Sequence, residues 1–84
     1  MSKLFREAIT LEVKEDIRHR PVGFLYKGRK EGVKEICEQW RLSQEWWKSA
    51  VDREYFRVRT LRGIVYEMYR DLLTGAWYLQ RVYD

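Results

Sequence analysis

The chain has 84 residues, a formal net charge of +4 and 45% hydrophobic residues, which fits one globular domain with one small core and argues against a disordered chain. Cys37 is its only cysteine, so an internal disulfide and a thiolate metal cluster are excluded. With no signal peptide and no apolar run near 18 residues, the expected setting is cytoplasmic and away from membranes.

Residues 1–7 read as a leader, with Leu4 and Phe5 placed to dock on the domain. From residue 8 to residue 14 the pattern alternates. Ile9, Leu11 and Val13 fall on one face, with Thr10, Glu12 and Lys14 on the other, as in a half-buried strand. Residues 15–20 form a charged connection that ends at Pro21, the only proline. Proline suits a strand start, where its missing N–H costs no ladder bond. Val22, Phe24 and Tyr26 then alternate as a second strand, and residues 27–29 supply a turn. Residues 30–42 fit two templates. Val33, Ile36, Cys37 and Trp40 have helical spacing, whereas Gly32 and the hairpin-like turn at Gly28 favour a third strand carrying a bulge. The strand is preferred, which gives N-terminal strands over 8–42.

Residues 43–52 read as a short helix or ordered loop, with Ser43 as its cap and Glu45 in its first turn. Residues 53–84 read as a three-stranded antiparallel meander. Its loops end at Gly63 and Gly75, where a left-handed residue closes the turn. A three-residue loop at 61–63 pairs Thr60 with Ile64. It follows that Val58 faces Tyr66, Phe56 faces Met68, Arg59 faces Val65, Arg57 faces Glu67, and Tyr55 faces Tyr69. Each pair is chemically compatible, and such pairs contribute roughly 0.2–1 kcal/mol each. In the second hairpin Met68 is set opposite Leu79 and Arg70 opposite Trp77. The fold class is therefore mainly β: a single domain of five to six strands in a strongly twisted antiparallel sheet, SH3-like or a partly open barrel, with one short helix or ordered loop.

Read together, the segments 57–60, 63–67, 69–71 and 74–80, the terminal Tyr83-Asp84, Trp40-Arg41 and Trp46-Trp47 resemble a family of small bacterial domains. Its members occur alone and as the C-terminal appendage of ImuB-type relatives of the Y-family DNA polymerases. The resemblance spans about residues 21–84. It implies a DNA-damage-tolerance context for some members and brings no functional residues with it, since the family has no assigned activity.

No catalytic set stands out. His19 lies in a charged loop with no nucleophile beside it, Cys37 reads as a small buried hydrophobe, and Glu15-Asp16 as a solvated pair. No metal-ligand spacing, P-loop or dinucleotide fingerprint occurs, so neither cofactor nor metal is expected, nor an enzyme. The interleaving of basic and aromatic residues on strands points elsewhere. With Phe56, Val58, Tyr66 and Met68 inward, Tyr55, Arg57, Arg59 and Tyr69 form an outward strip that Tyr78 extends. Rings of this kind stack on unpaired bases while arginines meet phosphates. A second basic cluster, Lys27, Arg29 and Lys30, sits at a hairpin tip near Arg18 and Arg20. The expected role is a non-enzymatic accessory module binding single-stranded nucleic acid. The alternative is a protein-interaction or dimerisation module using exposed aromatics such as Trp46 and Trp47, because adjacent residues on a strand or helix cannot both point inward.

Overall fold

In a computed structural model of the chain, which describes residues 2–45 and 50–83, the fold is all-β, with no helix among the described residues. Six strands follow one another: β1 (Ser2–Glu15), β2 (Pro21–Tyr26), β3 (Arg29–Glu45), β4 (Ala50–Thr60), β5 (Val65–Asp71) and β6 (Trp77–Tyr83). Every neighbouring pair is antiparallel, and β6 returns to pair with β1, so the sheet closes on itself as an up-and-down barrel. Closure removes the two edges that an open meander would leave, although β2 is so short that β1 and β3 run well past it.

The C-terminal hairpins follow from their turns. Gly63 and Gly75 have φ of 84° and 81°, and the pairs Val58–Tyr66, Phe56–Met68, Arg57–Glu67, Tyr55–Tyr69, Met68–Leu79 and Arg70–Trp77 are all present. The Arg70 guanidinium reaches across to Glu15, 3.5 Å away. Between β2 and β3 the turn is the two residues Lys27-Gly28, both at positive φ, as a type I′ hairpin requires. A Cβ added at Gly63 would touch nothing within 4 Å, so only backbone strain opposes a side chain there. Gly63→Ala should therefore lower stability by about 1 kcal/mol. In urea denaturation the midpoint should fall with an unchanged slope.

Inward residues at alternate positions build the core. Phe56, Val58, Met68 and Leu79 are wholly buried, and Tyr66, Trp77, Val82, Leu11 and Phe24 close round them. Phe24 and Phe56 meet Tyr66 and Trp77 with ring centroids 4.8 and 5.3 Å apart.

Four expectations are corrected. Residues 43–45 and 50–52 are strand, not helix: Ser43 pairs with Asp52, Gln44 with Val51 and Glu45 with Ala50. A single cap and one acidic residue, worth about 1 kcal/mol, do not outweigh an extended ladder that Arg41 locks to Asp52 through two hydrogen bonds. The supposed leader is the first part of β1, its Ser2, Lys3 and Leu4 pairing with Tyr83, Val82 and Arg81, since the end of β6 needs a partner. Val22 is exposed and Pro21 points inward, because a register shift at Lys14/Glu15 displaces the alternation. Cys37 is exposed, as the extra residue between Ile36 and Glu38.

The third strand explains its own ambiguity. Register shifts at Val33/Glu35 and Ile36/Glu38 place Val33, Ile36 and Gln39 opposite the buried Thr60, Val58 and Phe56. The two bulges carry Val33 and Ile36 to the core side, leave Cys37 exposed as an extra residue and bring Trp40 to the outer face, so apolar residues at helical spacing arise here without a helix.

Candidate nucleic-acid interface

Alternation along β4 sends Tyr55, Arg57 and Arg59 to the outer face, and the register carries that face across β3, β5 and β6. Trp40, Tyr55, Tyr69 and Tyr78 consequently form one row across four strands. Successive ring centroids lie 5.2, 5.1 and 5.2 Å apart, and the Trp40 and Tyr55 planes differ by 2°. These separations are close to the strand spacing of roughly 4.7–4.9 Å, so the rings turn their faces to one another. Tyr55 and Tyr69, in the middle, are only 6% and 7% exposed. Neither has a face left for a nucleobase.

The arginines of the strip are occupied as well. Glu38, Arg57, Glu67 and Arg81 form a second row of alternating sign. Arg57 donates to Glu38 and, at 3.0 Å, to Glu67. Glu67, buried beneath the row, also accepts from Gln80 Nε2 at 2.6 Å and from the Tyr83 hydroxyl at 3.1 Å. Burial alone would push its carboxyl up. The hydrogen bonds from Gln80, Arg57 and Tyr83 outweigh that and hold it below the usual carboxylate range. Arg59 is paired with Glu35, and Arg53 lies 4.5 Å from the centre of the Tyr69 ring while donating to the Tyr55 hydroxyl. All five residues expected on this face are thus brought together, with their charges and ring faces largely spent on one another. Glu35 and Glu38, which neutralise the strip, were hidden in the sequence because only the bulges of β3 turn both outward. Trp46 and Trp47 lie outside the described residues.

Uncompensated charge lies at the other side of the barrel. Residues 12–34 hold seven Lys or Arg against four carboxylates, and those carboxylates are mostly committed. Asp16 binds Arg20, Glu15 binds His19 and Arg70, and the buried Glu31 is held by Arg62 at 2.9 Å and the Tyr66 hydroxyl at 3.1 Å. Burial, with Glu31 alongside, pushes the Tyr66 hydroxyl up to about 12. Among the described residues no carboxylate comes within 4 Å of Lys14, Arg18, Lys27, Arg29, Lys30 or Lys34. These cations border the outer surface of β1, β2 and β3, where Lys14, Gly23 and Gly32 stand side by side on adjacent strands. With two glycines in the row, the surface sinks into an open cleft of about 620 Å³ lined by Lys14 and Lys30, by the carboxylates Glu12 and Glu31, and by Val13, Phe24, Leu25 and the glycines themselves. Gly32 also makes room for Leu61, whose Cδ1 lies 2.9 Å from where a Cβ would be. No group of three or more potential metal ligands occurs among the described residues.

A family model described as "Domain of unknown function (DUF6504)" matches residues 1–84. No curated protein and no solved structure matches the chain.

Proposed function

The chain belongs to the DUF6504 family, whose description carries no function, and from its own geometry we propose a non-catalytic accessory module that binds single-stranded nucleic acid at the β1–β2–β3 corner. What supports this reading is the segregation of charge. Arg57 and Arg59 of the aromatic face are neutralised at close range, while Lys14 and Lys30, with no carboxylate within 4 Å among the described residues, line one cleft and Lys27 and Arg29 lie on the hairpin beside it. Clustered cations in excess of the local carboxylates attract a polyanion and release its counterions, which produces affinity that weakens with salt. Lys27, Arg29 and Lys30 on the β2–β3 hairpin follow the phosphates, and the glycine-floored cleft between Lys14 and Lys30 admits an unpaired base. The aromatic row serves as a rigid outer layer that fixes the barrel's shape. In a damage-tolerance setting, such as the appendage of a polymerase relative, the module would hold unpaired template near the parent enzyme.

Titration of labelled single-stranded DNA at two salt concentrations tests the reading. Lys27→Glu, Arg29→Glu and Lys30→Glu together should weaken binding at least tenfold and reduce the salt slope by about 2, at roughly 0.7 per lost contact. Arg57→Ala with Arg59→Ala should leave affinity close to that of the native chain. Absence of binding by the native chain at low salt would remove this reading.

A further inference from the structure

From Val33 to Ser43, β3 has β4 as its only strand partner among the described residues, because β2 covers β3 only as far as Gly32. One edge of that stretch therefore presents backbone N–H and C=O groups to solvent. Free edges are commonly blunted by bulges and charge. Here the bulges fall between Val33 and Glu38, and the stretch from Glu38 to Glu45 keeps regular register. This unbulged part carries Trp40, the terminal ring of the four-ring row, with Tyr55 on one side and the open edge on the other.

We infer that this edge is a self-pairing surface: two copies of the chain join their β3 strands antiparallel about a two-fold axis at Trp40. A perpendicular two-fold in an antiparallel pair must pass through a residue and its own copy, so that outward side chains meet outward ones. Three centres are disfavoured on this strand. At Glu38 two carboxylates meet, at Arg41 two guanidinium groups meet, and at Gln39 the pairing runs into the bulge at Cys37. Centred on Trp40, Glu38 faces Leu42, Gln39 faces Arg41 and the two indoles face each other, with no like charges opposed. The two aromatic rows then continue into one of eight rings across both copies. The interface lies away from the basic corner, so the inference stands independently of nucleic-acid binding.

Leu42 provides a test in which folding and association respond in opposite directions. Within its own chain Leu42 is opposite Arg53 on the outer face; across the proposed axis it is opposite Glu38 of the second copy. Leu42→Glu gains Arg53 as a partner and keeps the fold, yet sets a carboxylate against Glu38 twice per dimer. Leu42→Lys opposes Arg53 and lowers stability somewhat, yet pairs with Glu38 of the second copy. Sedimentation equilibrium on the full chain should show a reversible dimer for the native protein, weakened about tenfold or more by Leu42→Glu and tightened by Leu42→Lys. A native chain that stays monomeric at every concentration overturns the inference and leaves the edge to a strand from another protein. Equal dimer affinities for the two variants also overturn it, by removing the Trp40 axis.

Discussion

Phe56→Ala is expected to leave the domain barely stable at room temperature. Phe56 is wholly buried, packs its ring 5.3 Å from that of Trp77 and lies opposite Met68, itself wholly buried. Truncating a buried phenylalanine costs about 3–5 kcal/mol, because the transfer term is lost and the cavity closes only in part. The barrel cannot readily collapse into such a hole, since β4 is held by β3 on one side and β5 on the other. Small domains have roughly 5–15 kcal/mol in all, and one of this length belongs near the low end. Near-UV circular dichroism should lose part of its aromatic signal, and the thermal transition should shift down by about 4–8 °C per kcal/mol. Leu61→Ala, at a site 73% exposed, should stay within about 0.5 kcal/mol of the native chain. If Phe56→Ala kept native stability, the inward assignment of β4 would be wrong.

Glu67→Ala should cost about 2–3 kcal/mol, more than an ordinary surface ion pair. Its removal leaves Gln80, Tyr83 and one arm of Arg57 without their shared acceptor in the charged row. Hydrogen bonds to a charged group contribute about 1.5–3 kcal/mol. Arg57 keeps Glu38 and remains partly solvated, which holds the loss below that of a fully buried pair. The effect depends on pH in a definite direction. Glu67 ionises below its ordinary value of 4.5, so the folded state releases this proton more readily than the unfolded one. Its contribution is complete above that ordinary value and disappears as pH falls through the lowered one. Urea midpoints measured from neutral to acid pH should therefore converge for the native chain and Glu67→Gln. A constant gap between them would show that the carboxylate charge contributes nothing.

Much of the C-terminal half could be read from local rules. A three-residue loop ending at Gly63 leaves one sensible register, and that register sends Phe56 and Val58 inward and Tyr55, Arg57 and Arg59 outward without reference to any distant residue. The same alternation placed Tyr69 and Tyr78 on the same face as Tyr55. The N-terminal half was less legible. In β3 the bulges broke the period-two signal that marks a strand, and in β1 the leader had no local reason to be strand until the end of β6 was there to pair with it.

The candidate interface divides in the same way. Sequence alone determined which side chains share a face, because pleating imposes that on any strand whose turn is known. Only the tertiary structure decided which of them remain available to a partner. Glu35 and Glu38 lie 24 and 19 residues from the arginines they neutralise, and their reach depends on bulges that arise when β3 wraps round the barrel. Charge compensation between distant strands depends on how the sheet curves and closes, and that is a property of the whole ring of strands, not of any one segment.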